Sequence, residues 1–120
     1  MATAKSIYAP AEAQIDTAAL AMLLRSGVPI VVLDARSGEY FDGRRIPTAR
    51  NLASDCSAAE AKKVIGSKNA LVVTYCTSLH CPASTMLYRH LKELGYENVL
   101  EYHDGIAGWA AAGFPVETDA

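Results

Sequence analysis

Nowhere does this chain of 120 residues carry an apolar run near the roughly 18 residues that cross a bilayer, which excludes a membrane-spanning helix. The N-terminal stretch MATAKSIYAPAEAQ lacks the apolar core of a secretory signal. Clustered lysine and arginine are also missing: 11 basic and 13 acidic side chains leave a net charge of −2. That balance gives no footprint for nucleic acid or an anionic membrane surface. The 3 cysteines are few and odd in number, against a disulfide framework. They fit a reducing cytoplasm, where a cysteine pair is more often catalytic, redox-active or metal-binding than structural. No repeat, linker or low-complexity segment interrupts the chain. What remains is 51% hydrophobic and 20% charged, the profile of a globular protein. A chain of this size buries roughly 60–70% of its unfolded surface. The reading is one domain over residues 1–120, with 1–12 as a loosely ordered lead-in.

Helices and strands take turns along it. Asp16 caps a helix from Thr17 to about Ser26, with Leu20, Leu23 and Leu24 on one face and Gly27 as its stop. IVVLD (Ile30 to Asp34) is a short continuous apolar run, as in a strand buried on both faces. Gly38, Gly43 and Pro47 break ARSGEYFDGRRIPTARNLA into loop with at most one short helix. Ser57 to Glu60 forms a capping box that opens a helix to about Ile65. ALVVTYC (Ala70 to Cys76) is a second buried strand. From Pro82 to Leu94 the apolar positions Ala83, Met86, Leu87, His90, Leu91 and Leu94 predict a helix closed by Gly95. Asn98 to Tyr102 reads as a strand and Gly105 to Gly113 as a short helix. The alternation predicts an α/β domain with a mostly parallel central sheet. Ligands bind such sheets at the carboxyl ends of the strands, where Cys76, Asp34 and Arg36 stand.

The stretch from Cys76 to Pro82 passes from a strand through a short loop into a helix opened by proline. Backbone N–H groups at such a junction converge and favour negative charge, so a thiol there is favoured as its reactive thiolate. The loop TSLHC is small and polar apart from Leu79, and it carries no acid to oppose a thiolate. Two readings of Cys76 stand: a nucleophile, or a small buried hydrophobe ending a strand. Cys76, Cys81 and His80 outline a metal site, but they supply at most three ligands at a spacing unlike standard zinc patterns, so no metal is assigned.

Over most of its length the chain resembles the single-domain rhodanese family of sulfurtransferases. VVLDARSGEYFDGRRIPTARNL is similar to that family's first signature, an Asp-x-Arg strand end followed by Glu-Tyr or Glu-Phe and a Gly-His-Ile-Pro-Gly-Ala-x-Asn turn. LVVTYC and then ENVLEYHDGIAGWAAAGFPVE are similar to the second: the active-site strand and cysteine, a Gly-Gly-x-x-x-Trp segment and a Gly-x-Pro-Val close. The resemblance implies a rhodanese-like fold with helices on both faces of the sheet. It also implies that Cys76 takes a sulfane sulfur from a donor, holds it as a persulfide and passes it to a thiol or other nucleophilic acceptor, a protein acceptor included. No metal or organic cofactor is implied. Thr77, Ser78, Leu79, His80, Cys81 and Arg36 become the candidate substrate-binding residues, with Asp34 and Cys81 in support.

The departures are informative. Leu79 and Cys81 stand where many members have a glycine and an arginine, and Pro82 replaces a common serine or threonine without an N–H to offer. Without the loop arginine, thiosulfate loses its obvious partner, and a thiol persulfide becomes the favoured donor. Arg36, Arg44 and Arg45 are the possible replacements, the last two reading as solvated turn charges. A Cys-x5-Arg phosphatase or arsenate reductase needs an arginine where Pro82 stands, which argues against both. Cys81 is either a resolving partner for Cys76 or a space-filling residue, and the local sequence leaves both open. His80 stands beside the thiol and His90 on a packed helix face. Asp104 takes the place of the first glycine of the family's pair, and Trp109 belongs to the core. A rhodanese-like binding module without catalysis and a Cys76/Cys81 thiol redox protein remain the alternatives.

Overall fold

The chain is described by a computed structural model over residues 12–36, 38–78 and 81–118. Asp16 accepts the Ala19 N–H at 2.8 Å to cap helix α1 (Thr17–Ser26), and Gly27 ends it in the left-handed region. Both arms of the capping box at Ser57 and Glu60 form, fixing the start of α2 (Ala58–Ile65). Proline sets the entry of α3 (Ala83–Glu93), and α4 (Gly105–Ala111) follows the last long strand.

Strands β1 (Val31–Asp34), β4 (Val72–Tyr75) and β5 (Val99–Tyr102) are the continuous apolar runs of the sequence. They pair in parallel with a short β3 (Arg50–Asn51) in the order β3-β1-β4-β5. Rows across the sheet explain why both faces are apolar. Val31, Val72 and Val99, with Leu33 one row on, face α2 and α3, where Ala61, Ile65, Leu87 and Leu91 pack. Val32, Val73 and Leu100, with Tyr75 and Tyr102, face α1 and α4, where Leu20, Ile106 and Trp109 pack. Each fully buried leucine or valine contributes about 1.5–3 kcal/mol. No helix among the described residues is long and apolar enough to cross a membrane.

Residues 35–53 carry more structure than the expected loop with at most one short helix. They hold a 3₁₀ turn (Gly38–Tyr40), β3, and a two-residue β2 (Arg44–Arg45) paired antiparallel with β6 (Glu117–Thr118). The inward face of α3 also differs: Met86 is exposed, while Ser84, Thr85 and Tyr88 are buried. The cause lies one row along the sheet, where Thr74 and Glu101 replace the apolar pair and need polar partners. Of the predicted lead-in, residues 1–11 lie outside the described residues.

Candidate active site at the carboxyl end of β4

Cys76 follows the last residue of the central strand and is buried. Its sulfur is joined to that of Cys81 in a disulfide, with the two Cα atoms 6.2 Å apart. The Cys81 N–H donates to the Ser78 carbonyl at 3.1 Å. Pro82 has no N–H, so that position offers no donor to an anion. From the other side α4 grips the loop: the Ile106 N–H donates to the Cys76 carbonyl at 3.0 Å and the Ala107 N–H to the Thr77 carbonyl at 2.9 Å. Only glycine permits that approach. A Cβ on Gly105, whose φ is +69°, would lie 2.6 Å from the Cys76 carbonyl oxygen.

Asp34 and Arg36 form the neighbouring strand end. The Asp34 carboxylate accepts from the Arg36 backbone N–H at 2.9 Å and from its guanidinium at 2.7–3.1 Å. The same guanidinium donates to Asp42 at 3.0 Å and to the Arg44 carbonyl, and lies 5.0 Å from the Phe41 ring centre. Burial pulls the Arg36 pKa down, but Asp34 and Asp42 outweigh it and raise it, so the cation is permanent. Burial pushes the Asp42 carboxyl up, yet bonds from the Arg44 backbone and side chain and from Arg36 hold it at about 2. Arg44 pairs with Asp42, and Arg45 donates to the Ala49 carbonyl at 3.2 Å with Phe41 5.0 Å away. Burial, reinforced by Asp34, pushes the Tyr75 phenol far up; it stays protonated and accepts the Ile46 N–H at 3.2 Å.

Beneath the loop a buried carboxylate steadies the start of α3. Glu101 Oε2 accepts the hydroxyls of Ser84 and Thr85, each at 2.6 Å, and lies 3.2 Å from His103 Nδ1. Thr74 donates to the Ser84 carbonyl at 2.9 Å. This network has no counterpart in the sequence expectations; the Glu in the otherwise apolar run NVLEY was its one visible sign.

A cavity of about 550 Å³ opens at the disulfide. Cys76, Thr77, Cys81 and Arg36, which are among the candidates named from the sequence, line it, together with Tyr40, Ala53, Ser54, Asp55, Pro82, Ala83 and Met86, which are not. Tyr40 belongs to the Glu-Tyr signature and was in that sense findable. Two of the exposed large apolar side chains, Tyr40 and Met86, stand at this mouth. Asp34 sits behind the wall, and Ser78 is in the turn. Leu79 and His80 lie outside the described residues. Cys56 is buried, and burial first, then the Glu60 and Asp55 charges, push its thiol up. His90 bonds the Cys56 carbonyl through Nε2, and Trp109 donates to the Pro115 carbonyl at 2.7 Å.

Against known proteins, a family model described as a rhodanese-like domain matches residues 16–112. A thiosulfate sulfurtransferase GlpE from Actinobacillus succinogenes is 32% identical over 88 residues, 73% of this chain and 76% of that protein. Among solved structures, the BH2092 protein from Bacillus halodurans superposes with a TM-score of 0.78 at 27% identity, over 88% of this chain and 77% of that one. The rhodanese-like domain of the Alr3790 protein from Anabaena sp. does so with a TM-score of 0.75 at 26% identity, over 90% and 80%.

Proposed function

Because the chain belongs to the rhodanese-like domain family, we propose that it is a sulfurtransferase with Cys76 as the sulfur-carrying nucleophile. The observation that carries this reading is the position of Cys76, at the carboxyl end of the central parallel strand on the wall of the cavity. Reduction of the Cys76–Cys81 bond frees the thiol. Its thiolate attacks the sulfane sulfur of a donor, the donor's remainder leaves, and a persulfide on Cys76 awaits a nucleophilic acceptor. Dividing the transfer into two displacements is ordinary covalent catalysis.

The cavity's charge favours a thiol persulfide over thiosulfate as donor. Arg36, the one lining cation among the described residues, is held by Asp34 and Asp42, and Asp55 adds a negative charge at the wall. Among the described residues a dianion meets no unopposed cation there, whereas the apolar mouth of Tyr40 and Met86 suits an organic thiol or a protein acceptor. Thr77 and Ser78, with Leu79 and His80, are proposed to contact the donor, and Asp34 to hold the wall through Arg36. A thiol-dependent cycle of this kind belongs in a reducing cytoplasm.

The test is intact mass spectrometry on reduced Cys81→Ser protein after exposure to thiosulfate or to glutathione persulfide. A gain of one sulfur atom is expected, faster with the persulfide and absent when Cys76→Ser is added. No gain with either donor overturns the reading and leaves a binding module as the better account.

A further inference from the structure

Resting on that reading, we infer that the Cys76–Cys81 pair gives the protein a second activity, the reduction of sulfane sulfur to sulfide. The loop that carries the nucleophile also carries a second thiol within bonding reach. The Cα separation of 6.2 Å lies inside the roughly 4.4–6.8 Å that a disulfide requires. Three local features hold the pair there: the Cys81 N–H bond to the Ser78 carbonyl, the fixed backbone of Pro82 at the entrance of α3, and the grip of Ile106 and Ala107 on the Cys76–Thr77 carbonyls. Both cysteines line the one cavity, so a persulfide formed on Cys76 shares a compartment with Cys81. Cys56, the remaining thiol, is buried beneath α2 and α3 in the core and is unsuited to the role.

The chemistry closes in two displacements and one reduction. With thiosulfate, the Cys76 thiolate takes the outer sulfur and expels sulfite, leaving a Cys76 persulfide anion. The Cys81 sulfur then attacks Cys76 Sγ, the bond between Sγ and the outer sulfur breaks, and hydrosulfide leaves carrying the Cys81 proton. The sulfane sulfur gains two electrons, and the two cysteine sulfurs together lose two as their disulfide forms. An external dithiol reduces that disulfide and restores both thiols. A thiol persulfide donor follows the same course, with its thiol leaving in place of sulfite. A neighbouring thiol in the same loop acts at an effective concentration of millimolar or above, so it competes with external thiols for the persulfide.

The experiment uses the full chain, reduced and freed of reductant under anaerobic conditions, then mixed with thiosulfate or glutathione persulfide. Free sulfide and intact mass are followed together, with a donor-free arm alongside. The wild type is expected to release one sulfide per chain without added thiol and to lose two hydrogens, with further sulfide only when a dithiol is supplied. Cys81→Ser and Cys81→Ala, checked for folding by circular dichroism, are expected to gain one sulfur and release less than about a tenth as much sulfide. A wild type that keeps the added sulfur and releases no sulfide overturns this inference and leaves the transferase standing. Loss of two hydrogens without matching sulfide, or in the donor-free arm, is plain oxidation and also overturns it. A wild type that neither gains sulfur nor releases sulfide with either donor overturns the transferase and this inference together.

Discussion

Position 81 faces the same cavity as Cys76, so the chemistry of its side chain bears on what the cavity would accept. On the mechanism proposed above, a thiol there would resolve a persulfide, and a guanidinium there would meet an anionic donor. Cys81→Arg is therefore expected to raise kcat/KM for thiosulfate with cyanide as acceptor. A charge-assisted hydrogen bond of about 1.5–3 kcal/mol corresponds to roughly ten- to hundredfold. Thiosulfate kinetics that do not change with this substitution would mean that the missing cation is not what limits the donor. Thr48 is a second case of one residue carrying a local cost. It is the one non-glycine described with positive φ, at 72°, a conformation that a β-branched side chain resists. Thr48→Asn relieves that strain and retains the backbone N–H bond to Glu117. It should stabilise the chain by about 0.5–1 kcal/mol in urea unfolding, and an unchanged midpoint would deny the strain.

Among the elements, α4 has the most direct hold on the site, through Gly105. Gly105→Ala places a methyl group against the Cys76 and Thr77 carbonyls and also meets the left-handed penalty. A loss of about 2–4 kcal/mol is expected, with sulfur loading of Cys76 slowed on the order of a hundredfold as the loop shifts. Gly113→Ala is the control: its φ is +85°, but nothing lies within 4 Å of the added Cβ. That variant should lose stability alone, and equal slowing of sulfur loading in both would detach the effect from the loop. The long elements were legible because their signals are local: an Asp cap, a capping box, a proline entry and apolar runs in Val31–Asp34 and Val72–Tyr75. Strands β2, β3 and β6 were not, because two polar residues make no pattern and only their partners give them a register. The inward face of α3 was misread for the same reason, since Ser84 and Thr85 point inward only because Glu101 waits across the sheet. Cys76 and Cys81 were legible as a possible pair, while the lining by Ala53–Asp55 depends on a loop arriving from elsewhere in the chain.

For the molecule as a whole, Asp42 is the hinge between the main sheet and the small one. It binds Arg36, which is anchored on Asp34 at the end of β1, and it binds Arg44 in β2, which pairs with β6 near the chain's end. Its carboxyl is held at about 2 against an ordinary 3.8, so its contribution to stability is fully present above about pH 4. As pH falls from there toward 2, the folded state loses that contribution because the carboxylate must take up a proton. The Glu60 carboxyl is held low by Ser57 in the same sense, which extends the acid limb. Asp42→Asn is expected to be less stable than the parent at pH 7, by an amount tempered by solvent because the side chain is 44% exposed. The two proteins should converge as pH approaches 2, since protonated Asp42 and asparagine are alike in lacking charge. Urea midpoints measured from pH 7 down to pH 2 check this. A gap that stays constant with pH would show that Asp42 acts through its shape and neutral hydrogen bonds, and that the link between the two sheets does not depend on its charge.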